Sequence, residues 1–397
     1  MHFFQIFFLV LGPFCAVLAY ATLVGPLSLP LGWRRGLLYS LLAFSLKFTW
    51  YALFGRNMFL PELPEFVIHI MSALYDFVLI SAAVGLLRAV ISGVMRLFSR
   101  LREKSATRKH GAEQPQATAC SRRRFVSGAL ALGTAGVAVK GVHDGMRLPD
   151  VKEVSIVFPD LPTAFDGYRI VQLSDIHASA SARADRTAGI VRQVNDLNPD
   201  LVAITGDFVD GPVHLRAADV LPLAKLRAAD GVVGCTGNHE YYSGYGYWRT
   251  VFQRCGIKML ENDRLTVKRG DGAIAVIGQN DPVSFDTDIT SACAGAPPFR
   301  ILLAHRPTRL AEHAALGIRL QLSGHTHGGA ILGFDRLVAR ANEGHVRGLY
   351  RENGITLYVN AGTGQWAGFP TRLGVSPEIT CLTLHRQRPQ SRKHSTP

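Results

Sequence analysis

The sequence predicts an α/β fold, two packed mixed β-sheets flanked by helices and preceded by N-terminal transmembrane helices. Three observations carry this expectation. Three long apolar runs occupy the first 95 residues. From Lys152 onward short β-rich runs alternate with amphipathic helical stretches. Asp, His and Asn recur just after the ends of those β-rich runs. Strands alternating with helices build sheets with helices on their faces, and strand ends are where α/β folds gather functional groups.

Composition narrows the class. The chain has 397 residues, 48% of them hydrophobic, with a mean hydropathy of +0.14 that is high for a soluble protein. Its formal net charge is +13. Many Lys and Arg residues cluster between Arg96 and Arg124, beside apolar segments. A membrane explains that placement better than nucleic acid does, because basic residues are kept on the cytoplasmic side of spanning helices. No zinc-ribbon cysteine pair, RNA-binding aromatic motif or basic groove-reading helix is present, so no nucleic-acid partner is expected. Six scattered cysteines make no disulfide framework. A single Cys235–Cys255 bridge stays open for an oxidising compartment.

The apolar runs cover residues 4–24, 36–54 and 66–90, within a membrane domain of residues 1–95. Each approaches or exceeds the roughly 20 residues that cross a bilayer as a helix. Arg34 and Arg35 mark the first loop, Glu62 and Glu65 the second, and a dense basic stretch opens the linker at residues 96–120. The positive-inside rule then puts the N-terminus outside and the linker in the cytoplasm. Lys47 and Asp76 fall near the middle of neighbouring antiparallel spans. Ionisable groups at that depth usually find partners, so the two are expected to pair.

Residues 121–150 come next. Ser121-Arg-Arg-Arg-Phe-Val126 precedes a glycine- and alanine-rich apolar stretch at 127–142. This resembles a twin-arginine export signal, without the lysine usual after the hydrophobic position. A plain fourth membrane helix is the alternative. Either carries the chain outward, and the segment is expected to stay as an anchor. A multi-pass protein of a bacterial inner membrane, with the following domain facing the periplasm or cell exterior, is the result.

The soluble domain is expected at residues 151–386, with a polar, basic, disordered tail at 387–397. Strands are predicted at 154–158, 169–173, 201–205, 231–235, 274–277, 300–304, 319–323, 356–360 and 379–384. Ile190, Val194 and Leu197 give helical spacing to residues 183–197. Five of the strands deliver candidate functional groups. The first leads to Asp175-Ile-His177, the second to Gly206-Asp207-Phe-Val-Asp210, and the third to Gly237-Asn238-His239-Glu240. The fourth ends at His305-Arg306-Pro307 and the fifth at Gly324-His325-Thr-His327-Gly-Gly329. Alone, a His-x-His turn is equally well read as two hydrogen-bonded loop histidines. Five such strand ends together are not chance. The mixed nitrogen and oxygen donors suit Mn, Fe or Zn better than Ca or Mg.

The ordered series Asp-x-His, Gly-Asp-x-x-Asp, Gly-Asn-His-Glu, a lone His and Gly-His-x-His resembles the calcineurin-like metallophosphoesterases, over about residues 154–384. With its twin-arginine-like segment the chain looks like a membrane-anchored bacterial branch of that family. The resemblance implies a metallophosphoesterase sandwich holding two divalent metal ions. Asp175, His177, Asp207 and His327 would hold one ion. Asp207, Asn238, His305 and His325 would hold the other, with Asp207 bridging. His239 would be the catalytic group, facing substrate rather than metal. The implied reaction is hydrolysis of phosphate mono- or diester or pyrophosphate bonds, with a metal-bridging hydroxide as nucleophile. A lipid phosphate at the bilayer surface and a soluble phosphodiester are both open as substrates. One departure is Ala330, where related sequences often have Gln.

Other readings stand beside these. An inactive metal-binding module, with function carried by the membrane region, is the alternative from another class; His239 argues against it, having no ligand role in the family. Asp210 and Glu240 are read as groups that orient or cap rather than ligate. His214, His313 and His345 are read as surface or core histidines. Tyr241, Tyr242, Tyr245, Tyr247 and Trp248 form either helix packing or a substrate wall or membrane-contacting edge.

Overall fold

The computed structural model describes residues 2–25, 27, 29–105 and 116–387. The expected tail beyond Gln387 and much of the expected basic linker lie outside them, as do the side chains of Arg122 and Arg123. The chain divides into two compact units, Met1–His143 and Asp144–Pro397.

In the first unit, α1 (His2–Ala19) runs on into a π-helical turn at Tyr20–Val24. It is followed by α2 (Leu31–Ser45), α3 (Lys47–Phe54), α4 (Glu65–Ser105) and most of α5 (Gln116–Met146). Ile6–Val24, Glu65–Leu101 and Phe125–Met146 are long and apolar enough to cross a membrane. The expected second span is not one straight helix: α2 and α3 meet at a 57° bend. Ser45 Oγ donates back to the Leu42 carbonyl at 2.7 Å, and the Leu46 N–H bonds to Ala43 instead of continuing the α-helical ladder. A hydroxyl competing for backbone carbonyls in this way bends helices. Close approach of α1 and its π-turn to their neighbours depends on glycine. A Cβ on Gly12 would lie 2.3 Å from the Ser45 carbonyl oxygen, and one on Gly85 2.0 Å from Thr22 Oγ1. Lys47 and Asp76 are both buried, with the Lys47 ammonium 5.1–5.4 Å from the ring centres of Phe48, Tyr51 and Tyr75.

In the second unit, β1 (Asp150–Phe158) and β2 (Tyr168–Leu173) lead to α6 (Ala184–Asp196), β3 (Leu201–Thr205) and α7 (Val213–Val220). Then come β4 (Val232–Cys235), α8 (Asn238–Tyr242), α9 (Tyr245–Arg254) and β5 (Ile257–Met259). β6 (Arg264–Arg269), β7 (Gly272–Gly278), α10 (Thr290–Cys293) and β8 (Phe299–Leu303) continue the chain. It finishes through α11 (Leu310–Ala315), β9 (Ile318–Ser323), α12 (Asp335–Ala341), β10 (Gly348–Glu352), β11 (Ile355–Val359) and β12 (Glu378–Arg386).

These strands make two six-stranded sheets, ordered β1-β12-β2-β3-β4-β5 and β10-β11-β9-β8-β7-β6. β2 through β5 are parallel, and so are β7, β8, β9 and β11. Both sheets are mixed, because β12 runs antiparallel to β2, and β6 and β10 close hairpins onto β7 and β11. Ile170, Ala203 and Val233 of the first sheet share one core with Ile274, Ile301, Leu320 and Tyr358 of the second. The outer face of the first sheet is covered through Ile190, Val194, Trp248 and Phe252, and that of the second through Leu310. The two mixed sheets flanked by helices, with apolar N-terminal helices before them, are the fold the sequence predicted. Cys235 and Cys255 are free thiols, so the bridge left open above is not formed.

Candidate metal centre

Because the central strands of both sheets are parallel, their C-terminal ends deliver loops to one side. Asp175 and His177 follow β2, and Asp207 and Asp210 follow β3. Asn238 and His239 open α8 just beyond β4. His305 follows β8, and His325 and His327 follow β9. A bond from Gln172 Nε2 to the Ser323 carbonyl (2.9 Å) ties the two sheets together beneath them.

Three groups of donor atoms that could hold an ion result among the described residues: two clusters, Asp175–His177–His327 and Asp207–His305–His325, and a third, His177–Asp210–His239, that shares His177 with the first. In the first, the Nε2 atoms of His177 and His327 face each other at 3.1 Å, and His327 Nε2 lies 3.5 Å from Asp175 Oδ1. In the second, His305 Nε2 lies 3.1 Å from Asp207 Oδ2 and 3.2 Å from His325 Nδ1. Asp207 Oδ2 is also 3.8 Å from His177 Nε2, so one carboxylate oxygen stands between the clusters. All residues of the two clusters but His325 and His327 are fully buried, and those two only partly exposed.

The backbone is bent to make this convergence. Asp175, His177, Asp207, His325 and His327 all have positive φ, between 47° and 70°. Each such residue costs about 1–3 kcal/mol, which only a surrounding structure that over-determines it can sustain. Two glycines permit the close approach. A Cβ on Gly237 would lie 2.2 Å from Asp207 Oδ1, and one on Gly324 2.4 Å from Asp175 Oδ2.

The histidines are turned by their far nitrogens, whose roles follow from the bonding network. His305 Nδ1 lies 2.7 Å from the Thr205 carbonyl, which fixes a proton there and leaves Nε2 as a donor to metal. His177 Nδ1 meets Asp210 Oδ1 at 3.0 Å, with the same effect. Burial lowers the His325 imidazole to about 3 and His327 well below its ordinary value, so both present lone pairs. Without a cation, His305 is opposed by burial but held at about 10 by the Asp207 carboxylate, so a cation bound there would take the place of the proton on Nε2. His239 is likewise opposed by burial and held at about 9 by Asp207 and Asp210.

His239 belongs to a different geometry from the two clusters. Its N–H bonds to Asp207 Oδ1 at 2.9 Å and its Nδ1 to Asp210 Oδ1 at 2.6 Å. Its ring is flanked by Tyr242 at 5.5 Å and Trp366 at 6.4 Å between centres. Asp210 orients both histidines, and Glu240 accepts from three backbone amides, those of Asp207, Phe208 and Gly237, at 2.7–2.8 Å. The predicted aromatic cluster divides. Trp248 is core, its indole donating to the Gly211 carbonyl, whereas Tyr242 is exposed beside His239. His214 is at the surface, and His313 and His345 are buried with partners in Gln321 and Pro307.

Sequence reasoning missed two residues. Trp366 lies on the loop after β11, a sixth strand end that the strand-end rule could have flagged. Arg372 is fully buried and donates to the carbonyls of Ala361 (2.7 Å), Gly362 (3.1 Å) and Gly364 (2.8 Å), with Nη2 3.4 Å from His327 Nδ1. No motif in the sequence marked it.

The donor set fits divalent ions. Asn238 Oδ1 is buried without a hydrogen-bond partner among the described residues, a state that costs free energy unless something coordinates it. The two facing imidazole nitrogens of His177 and His327 likewise converge on a point that a cation would satisfy.

The comparisons with known proteins agree. Residues 168–329 match the family model for calcineurin-like phosphoesterases. A Danio rerio transmembrane protein with a metallophosphoesterase domain is 33% identical, over 71% of this chain and 67% of that protein. An uncharacterized metallophosphoesterase of Helicobacter pylori (strain J99) is 32% identical, over 66% of this chain and 72% of its own. The uncharacterized metallophosphoesterase YkuE of Bacillus subtilis is 32% identical, over 66% of this chain and 97% of its own length. A likeness that takes in nearly the whole of a relative, and whose family motifs stand at the ends of adjacent strands, places this chain among the calcineurin-like metallophosphoesterases, as an enzyme that hydrolyses phosphoric esters.

Proposed function

We propose that the two clusters hold two divalent metal ions, of the Mn, Fe or Zn kind, and that the enzyme hydrolyses a phosphate mono- or diester or a pyrophosphate bond. The position of Asp207 Oδ2, 3.1 Å from one cluster's His305 and 3.8 Å from the other's His177, carries this reading. Asp175, His177, Asp207 and His327 form one ligand set, and Asp207, Asn238, His305 and His325 the other. Ions bound there supply an activated water and neutralise charge on the phosphoryl group. The protein's part is orientation and proton transfer. Asp207 offers one shared anion to both sites. His239, steered by Asp210, faces the substrate with its Nε2 and gives a proton to the leaving oxygen. Tyr242 and Trp366 wall the His239 side and limit how the leaving group enters.

The domain is read as residues 151–386, carried at the outer face of a bacterial inner membrane. The four apolar segments, the loop charges and the Arg122-Arg123 pair support that placement, and a phospholipid-type substrate is compatible with it. The test is metal analysis and turnover of the full-length protein in detergent. About two ions per chain and metal-dependent hydrolysis of bis(p-nitrophenyl) phosphate are expected. Stoichiometric loading without hydrolysis of any phosphate ester would overturn the catalytic reading.

A further inference from the structure

Arg306, next to His305 in the His305-Arg-Pro motif, is not used by the metal sites. Its Nε and Nη2 donate to Asp281 at 2.9 and 3.2 Å. Asp281 is fully buried and is itself fixed, its N–H donating to Thr236 Oγ1 (3.0 Å) and its carboxylate accepting from the Val283 amide (3.0 Å). The guanidinium is therefore held from behind. Its side chain remains 32% exposed, and Nη1 makes no hydrogen bond among the described residues. It lies one residue past His305, and its charge is felt by Tyr242, by Asp207 and by His325. Tyr242 in turn packs against His239. A clamped arginine thus stands beside the candidate metal sites: it adjoins His305, and Asp281, which holds it, is bonded to Thr236, two residues before Asn238.

We propose that Arg306 forms an anion subsite for a second phosphoryl group of the substrate, adjoining the one that is cleaved. The preferred substrate class is then a diphosphate-linked compound rather than an isolated phosphodiester. This rests on the phosphoesterase reading above. Arginine is suited to the role because its planar fork matches phosphate oxygens. A pre-set fork loses little freedom when substrate arrives, since Asp281 has already fixed it. The pairing with Asp281 reduces the net charge of the subsite, so its contribution is directional: Nη1, and the open edge of the fork, offer hydrogen bonds to an anion already drawn in by metal.

The test is calorimetric binding to the metal-loaded, full-length protein of two non-hydrolysable probes, methylphosphonate and methylenediphosphonate. The wild type should bind the diphosphonate at least about 10-fold more tightly. Arg306→Gln should lose about 10–100-fold for the diphosphonate, the range for hydrogen bonds to a charged group, and less than about 3-fold for methylphosphonate, with metal content unchanged. Arg306→Lys, which keeps the charge but not the fork, should fall between. If Arg306→Gln does not fold, the Lys variant decides. Equal weakening of both probes in the folded variants, or no preference in the wild type, removes the subsite. Because binding is read without turnover, that failure is distinct from an absence of phosphodiester hydrolysis, which would count against the phosphoesterase reading alone.

Discussion

Asp210 Oδ1 lies 2.6 Å from Nδ1 of His239. The same oxygen lies 3.0 Å from Nδ1 of His177, so one carboxylate orients both a candidate metal ligand and the candidate proton donor. Asp210→Asn keeps the shape but gives up the charge that holds two imidazoles at once. A loss of about 10–100-fold in turnover or metal affinity is expected, the usual worth of a group that orients a ligand. Steady-state kinetics with metal analysis check it, and a variant equal to wild type in both would contradict the role.

The membrane unit offers an independent test. Lys47 and Asp76 are both buried, and the Asp76 carboxylate acts electrostatically on the ammonium. Each group costs about 2.5–3.5 kcal/mol at a membrane centre on insertion scales. Lys47→Met should destabilise the full-length protein in detergent, and adding Asp76→Leu should recover part of the loss. Thermal unfolding of the two single variants and the double variant measures the coupling. Strictly additive losses would mean that the two do not pair.

Topology can be read from the C-terminus. An alkaline phosphatase fused there, which folds only outside the cytoplasm, should be active. Arg122→Lys combined with Arg123→Lys should abolish that activity if the twin-arginine route is used. Retained activity in the double variant would favour a plain fourth membrane helix. Activity of a cytoplasm-only reporter at the same point would overturn the outward placement.

His313 gives a pH signature away from the metal centre. Burial pushes its imidazole below the ordinary value, only partly offset by the bond to Gln321, with Arg309, Glu312 and Glu343 also facing it. The folded state thus keeps it neutral where the unfolded chain, with a value near about 6.5, takes up a proton. The unfolded state then binds more protons, so stability is present above about pH 6.5 and lost as pH falls below it. His313→Gln should shrink the decline in melting temperature between pH 7 and pH 5. Parallel declines in the two proteins would exclude a contribution from His313.

The five strands that carry the candidate ligands were legible because each candidate follows an apolar run long enough to be a buried strand. β5, β6 and β10 were not read, being at sheet edges and only partly buried. The signal for β10 was nonetheless present. Asn353-Gly354 joins it to β11 as a two-residue loop with φ of 52° and 77°, the turn chemistry that Asn-Gly favours. The bend at Leu46 escaped because hydropathy registers apolar length, whereas the break comes from one hydroxyl bonding back to its own helix. Arg372 escaped for a related reason. Its partners are carbonyls of the loop after β11 together with His327 of the loop after β9, and no local pattern encodes those.

The central claim is that Asp207 serves both metal sites while His239 serves the substrate. It is tested most directly by metal content and turnover of Asp207→Ala beside His239→Ala. Asp207→Ala removes the shared anion between two dications about 4 Å apart, so it should empty at least one site and abolish hydrolysis. His239→Ala should keep both ions and lose about 10²–10⁴-fold in rate, the usual range for a positioned proton donor. Loss of metal in His239→Ala as complete as in Asp207→Ala, or full turnover in His239→Ala, would contradict the account.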